Sequence, residues 1–248
     1  MPMKKIYLAG ECFFLFGLIP GSLIWIEIMG NVPFFPLLLG MLLLTVCITA
    51  FDKSMHFQIK SGQKNIQSFR KQFFLKIIIT GFFLCGFTAL FYPNLLFAFP
   101  RERTGIWLMV MILYPLLSVV PQEFLFRTFF MQRYESLFGH KNRMLWMNAL
   151  VFAWAHMVFL NSIAPVFSLA GGLLMAKTWQ QTKSFRWVCL EHALYGQLVF
   201  TSGIGWVFYQ GSTRSLENVS LTIFPPDFFA FSFFSPFTSL LLDWISFH

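Results

Sequence analysis

A handful of ionisable side chains fall where this sequence is otherwise apolar. Glu123 and Arg127 lie one helical turn apart in Pro121-Gln122-Glu123-Phe124-Leu125-Phe126-Arg127. His156 closes Phe152-Ala153-Trp154-Ala155-His156, and Glu191 and His192 lie in Leu190-Glu191-His192-Ala193-Leu194-Tyr195-Gly196. A carboxylate near two imidazoles can activate water for attack on a carbonyl, the carboxylate as general base and an imidazole polarising or protonating the reacting groups. Glu123, His156 and His192 could equally ligate a divalent metal such as zinc, as a two-His, one-carboxylate set with positions open for water. The residue types alone leave metal use open. No His-Glu-x-x-His helix is present, no Gly-x-Ser-x-Gly occurs and no cysteine has a His-based setting, so water-mediated hydrolysis ranks above covalent catalysis.

The rest of the chain explains why these positions stand out. It has 248 residues, 57% of them hydrophobic and only 11% charged, and a mean hydropathy of +0.66. Soluble domains carry about a quarter charged residues, so the composition excludes an ordinary soluble enzyme and predicts an all-α, polytopic transmembrane helix bundle. The 35 Phe residues suit lipid-facing and helix-packing surfaces and do not themselves mark a cofactor pocket. A net charge of +8 could suggest nucleic acid, but the basic residues fall between apolar stretches, where retention on the cytoplasmic side explains them without a nucleic-acid partner. Cys12, Cys47, Cys85 and Cys189 each sit in an apolar stretch, unpaired in spacing, and read as packing residues.

Apolar stretches run from about Ile6 to Met29, Val32 to Phe51, Phe73 to Phe99, Gly105 to Met131, Met144 to Leu160, Ile163 to Ala176 and Trp187 to Tyr209, which predicts about seven spans. Basic residues cluster at Lys4 and Lys5, from Lys53 to Lys76, from Arg133 to Arg143 and from Lys177 to Arg186, alternating with sparsely charged connections near Gly30, Asn161 and Gly211. That alternation predicts a cytoplasmic amino terminus; Arg101 and Arg103 fall on the other side. The first helix lacks a cleavage site before Glu27 and is expected to be retained. Pro115 and Pro121 lie within one long stretch, and a helix break is expected near Pro121. Three regions follow: N-terminal membrane helices over 1–104, a membrane core over 105–210 and an aromatic-rich tail over 211–248 lying in the membrane interface.

An ionisable group deep in a span costs a few kcal/mol on insertion scales, so each is a functional candidate with a partner to be named. Counting inward from the basic clusters puts Glu123 about 15 Å deep, His156 about 20 Å and His192 about 9 Å. Separate helices thus bring a carboxylate and two imidazoles to overlapping layers of one leaflet. Each residue also has a structural reading. Glu123 and Arg127 could be an ion pair fixing helix register, His156 a hydrogen-bonded packing histidine, and Glu191 with His192 the interfacial start of a helix. Glu11 and Glu27 read as structural or near-interfacial, and only the combination favours catalysis.

The blocks resemble those of the CPBP membrane proteins, which include the CAAX-type prenyl endopeptidases and bacterial relatives linked to bacteriocin processing and immunity. The family pattern is Glu-Glu-x-x-x-Arg, then Phe-x-x-x-His, then a His followed four residues later by Asn or Asp. Gln122-Glu123 through Arg127 matches the first block, Phe152 and His156 the second, and His192 begins the third; the likeness spans about Gly105 to Tyr209. The resemblance implies an intramembrane peptidase of a membrane peptide or protein, with the bacterial plasma membrane as its expected location. It implies Glu123 as base, His156 as its partner and His192 as oxyanion stabiliser. Two positions depart: Gln122 stands at the first Glu, usually taken as the base, and Gly196 at the Asn or Asp. Tyr195, nearer than Gln197 to the His192 face, is the expected replacement donor. Competing readings are a catalytically degenerate scaffold or immunity factor, and a transporter relaying protons through Glu123 and the histidines. The absence of paired broken helices weakens the transporter.

Overall fold

The computed structural model describes residues 2–29, 34–52, 66–139 and 142–208. The tail over 211–248, expected in the interface, lies outside the described residues, as do Gly30 and the loop lysines Lys53, Lys60 and Lys64. Every regular element among the described residues is helical. A backbone sunk in hydrocarbon can satisfy its own donors and acceptors only within a helix or a closed barrel, and apolar runs of this length follow the helical route.

Helix α1 runs through Pro2–Phe13, a wide π turn at Phe14–Leu18, and Ile19–Met29. Helix α2 is Phe34–Phe51 and α3 is Ile66–Phe91. Helix α4 is the long run Thr104–Arg133, α5 is Asn142–Ala155 ending in a 3₁₀ turn at His156–Phe159, α6 is Ile163–Thr182 and α7 is Phe185–Ser202. Among the described residues, Lys5–Met29, Phe69–Phe91 and Thr104–Arg133 are long and apolar enough to cross a membrane, with Pro36–Phe51 a shorter apolar helix. Phe82, Leu90, Ile112 and Val166 are exposed on the outer surface, where lipid in place of water removes the cost of leaving them uncovered. The stretch expected to reach Phe99 ends its helix at Phe91 and continues through short turns, Pro93–Leu95 and Ala98–Glu102.

Helix α4 carries the candidate Glu, and it does not break at Pro121. It continues to Arg133 by widening twice, at Pro115–Val119 and at Phe124–Phe129. A proline has no N–H for the carbonyl one turn back and its ring crowds that carbonyl, but a five-residue turn ahead of it re-routes the ladder. Val120 accordingly donates to the Pro115 carbonyl and Phe130 to that of Leu125. Within the second wide turn, the buried Asn148 of α5 donates to the Phe126 carbonyl at 2.5 Å.

Packing around α4 fixes the rest. All of Phe124 to Phe129 is buried. Phe16 of α1 meets the rings of Phe126 at 5.7 Å and Phe130 at 5.0 Å, both edge-on, the orientation an aromatic quadrupole favours. Helices α5 and α6 approach closely because position 172 is glycine: a β-carbon there would stand 3.2 Å from the Ala149 Cα and 3.3 Å from the Phe152 ring. Helices α4 and α7 are joined along an antiparallel seam, Trp107 Nε1 donating to Thr201 Oγ1 at 3.2 Å and Gln197 Nε2 to the Met111 carbonyl at 2.9 Å. Helix α7 stops at Gly203, whose φ of 107° only glycine adopts readily and whose missing side chain leaves room for the Leu95 carbonyl.

The end of α4 is held by charge. Arg133 grips Glu11 of α1 with Nε to Oε1 at 2.9 Å and Nη2 to Oε2 at 2.8 Å, and its Nη1 reaches Asp52 just past α2. The Tyr134 hydroxyl donates to the same Glu11 at 3.0 Å. A planar guanidinium matching a carboxylate in two parallel bonds is the strongest form of this pair, and here it ties the ends of α4 and α2 to the body of α1.

Candidate active site

Glu123 is the last residue before the second wide turn of α4 and is fully buried. Its Oε1 accepts a hydrogen bond from Nδ1 of His192 on α7 at 2.7 Å. Its Oε2 lies 3.4 Å from Nε of the equally buried Arg127. An imidazole N–H from α7 and the guanidinium one turn on along α4 thus face one carboxylate. The pair expected from the sequence, Glu123 with His156, is not the one formed: His156 instead donates Nδ1 to the Phe152 carbonyl at 2.7 Å. The α-helix gives way to a 3₁₀ turn at His156, and the second lone pair of the carbonyl one turn back takes the imidazole.

Each imidazole therefore commits Nδ1 to an acceptor. A carbonyl or carboxylate oxygen only accepts, so Nδ1 carries a proton in both rings, and in the neutral form of each ring Nε2 keeps the lone pair. That tautomer is the one a general base needs.

Phe152 gathers the site. Its ring centroid lies 4.3 Å from that of His156 and 5.7 Å from that of His192, while the Arg127 guanidinium sits 4.5 Å above it. Arg127 is fully buried, its three nitrogens make no hydrogen bond among the described residues, and its charge rests between the Glu123 carboxylate and the face of this ring. A ring quadrupole in a desolvated setting is worth about 2 kcal/mol to such a cation, and the ion pair supplies the rest of its counter-charge. Gln122 points the other way along α4, Nε2 donating to Ser118 Oγ at 2.7 Å.

Glu191 and Tyr195 belong to a different group. Glu191 is fully buried rather than interfacial: Lys76 of α3 reaches its Oε1 at 2.6 Å and also donates to Thr178 of α6 at 3.0 Å. The Tyr195 hydroxyl donates to that same Oε1 at 2.9 Å, so it is directed to Lys76 and Glu191 and is not the donor beside His192 that was expected. Successive residues on a helix point about 100° apart, which is why Glu191 and His192 serve separate clusters. Beside His192 stands Tyr114 of α4. Its ring centroid is 6.1 Å from the imidazole, and its ring and hydroxyl occupy the place where a β-carbon at Gly196 would be.

Tyr114, Ser118, Asn148, Lys76 and Thr178 were not singled out in the sequence. Asn148 and Lys76 carried a signal, a polar side chain within or at the edge of an apolar run. Tyr114 carried none, since an aromatic beside a proline in a Phe-rich stretch is ordinary.

A metal does not fit the residues as arranged. Among the described residues no group of three His, Cys, Asp or Glu side chains converges as a ligand set. Glu123 and His192 bond each other, and His156 is tied to a carbonyl. The metalloprotease-like reading finds no support in this arrangement.

A helical bundle with an acid–imidazole pair buried between its long helices defines the class. Residues 104–198, which hold Glu123, Arg127, His156 and His192, match the family model described as type II CAAX prenyl endopeptidase Rce1-like. The match supports the CPBP/CAAX protease family over this stretch, and with the apolar helices it indicates a membrane protein. No curated protein and no solved structure matches the chain.

Proposed function

We propose that the protein is an intramembrane endopeptidase of the CAAX-protease type that hydrolyses a peptide bond in a membrane-anchored peptide. The observation that carries this reading is the 2.7 Å bond between Glu123 and His192, a carboxylate and an imidazole from different helices, both buried. Glu123 holds His192 with Nδ1 protonated and stabilises the imidazolium that forms, while Arg127 faces the other carboxylate oxygen. Nε2 of His192 takes a proton from water, and the water oxygen bonds to the substrate carbonyl carbon as the carbonyl π electrons move to oxygen. When the tetrahedral species collapses, the carbon–nitrogen bond breaks and His192 returns the proton to the leaving amine. His156, whose Nε2 carries a lone pair beside the same Phe152 ring, is the second imidazole of the site and polarises or positions the reacting groups.

This differs from the roles implied by resemblance: Glu123 orients His192 instead of acting as the base with His156, and His192, there the oxyanion stabiliser, becomes the base. The test is incubation of the purified full-length chain in detergent with membrane-anchored peptides, prenylated and not, followed by mass spectrometry of new termini. Wild-type cleavage that is lost in Glu123→Gln, His192→Ala and His156→Ala, each with an unfolding transition retained, is expected. Cleavage undiminished in Glu123→Gln would remove the mechanism.

A second reading, a catalytically degenerate scaffold or immunity factor that binds a membrane partner, is favoured by one observation. At the position where the family carries its first Glu, the neutral amide of Gln122 bonds Ser118 and cannot accept a proton. If the wild type is inert and Gln122→Glu gains hydrolysis, this reading replaces the first.

A further inference from the structure

The carbonyl oxygen that becomes negative in the proposed reaction needs a donor, and the residue whose family counterpart is Asn or Asp is Gly196, which has no side chain. Positions 192 and 196 lie one turn apart on the same face of α7, so whatever fills the space beside Gly196 lies next along that face from His192. That space holds the ring and hydroxyl of Tyr114, from the facing helix. The placement is enforced by the seam between the two helices. Trp107 bonds Thr201 and Met111 bonds Gln197, each step of four residues up α4 matching a step of four down α7. The next partners along that seam are Tyr114 and the segment between His192 and Gly196. Tyr114 is further held by Phe200, edge-on at 5.3 Å, and by the edge-on His192 ring at 6.1 Å.

We propose that Tyr114 is a catalytic residue that replaces the missing side chain at position 196, its hydroxyl donating a hydrogen bond to the substrate oxyanion. This rests on the peptidase reading above. The donor has moved from α7 to α4, and glycine at 196 is what admits the ring, since any β-carbon there collides with it. Tyr195, whose hydroxyl is bonded to Glu191, is not the substitute.

The test uses the full-length chain in detergent and whichever membrane-anchored peptide the wild type cuts. An oxyanion contact exists only once charge develops, so Tyr114→Phe should lower kcat on the order of 100-fold with KM kept. Gly196→Asn alone should also lose turnover, by displacing the ring. The swap Tyr114→Ala with Gly196→Asn should regain at least tenfold over Tyr114→Ala, while Tyr114→Ala with Gly196→Leu, which fills the space without a donor, should not. If Tyr114→Phe cuts as fast as wild type, or the Leu swap rescues as well as the Asn swap, Tyr114 only packs, and the peptidase reading stands without it. If Tyr114→Phe fails to fold, the comparison of the two swaps decides. If the wild type cuts nothing, the peptidase reading falls and this assignment falls with it.

Discussion

Lys76 crosses from α3 to Glu191 on α7 at 2.6 Å, and the bond holds the helix that also carries His192. Glu191 is fully enclosed while Lys76 keeps part of its side chain open, and among the described residues Lys76 is the cation in direct contact with that carboxylate. Because Glu191 and His192 are neighbours, the rotation of α7 that satisfies one sets the direction of the other. The Lys76–Glu191 pair thus bears on the direction of His192.

Removal of Lys76 should therefore destabilise the fold more than removal of both partners. Lys76→Met leaves an uncompensated buried carboxylate and should cost on the order of 3 kcal/mol, whereas Lys76→Met with Glu191→Leu should recover most of it. Denaturant unfolding in detergent of the two single variants and the double variant measures the coupling. Additive losses would show that the pair does not interact energetically.

Phe152→Leu keeps an apolar side chain but removes the face on which Arg127 rests. The loss should be about 1–2 kcal/mol of stability from the cation–π contact. Turnover should also fall, because both imidazoles pack on the same ring. The same substitution in an Arg127→Met background should cost less, and thermal unfolding of the four proteins tests this directly.

Gly172→Val should force α5 and α6 apart, since the nearest atom to the added carbon is the Ala149 backbone, which cannot rotate away. Overpacking of this kind costs about 1–3 kcal/mol. Gly171→Val, whose nearest neighbour is only the mobile end of Met175 at 3.7 Å, should be much milder. Equal melting temperatures for the two variants would contradict the close approach.

Glu11→Gln should loosen the joint at the end of α4. It replaces a two-pronged ionic contact to Arg133 with a neutral one, at a cost of about 1–3 kcal/mol. Since Tyr134 donates to the same carboxylate, Tyr134→Phe combined with Glu11→Gln should add little to Glu11→Gln alone. Unfolding midpoints of the set report on it.

Much of the site was legible because a membrane chain makes polar side chains conspicuous. Glu123, Arg127, His156, Glu191 and His192 could be picked out by the cost of their setting, and the apolar runs gave helices. What misled was local chemistry read without its third dimension. Pro121 promised a break, yet a wide turn ahead of it kept α4 whole, a rearrangement spread over residues that carry no mark of it. Glu191 looked like a helix start because a carboxylate suits the positive end of a helix dipole, while its partner, Lys76, comes from α3.

The amino-acid order by itself determined that this is a bundle of apolar helices and which ionisable groups would be trapped within it, because solvation costs act on each residue separately. Only the tertiary structure decided who bonds whom: Glu123 with His192, Glu191 with Lys76 and Tyr195, Tyr114 over Gly196. Those pairings depend on the rotation and register of helices far apart in the chain. That rotation is set by packing at glycines, aromatic rings and hydrogen-bonded seams, whose geometry has no counterpart in one dimension.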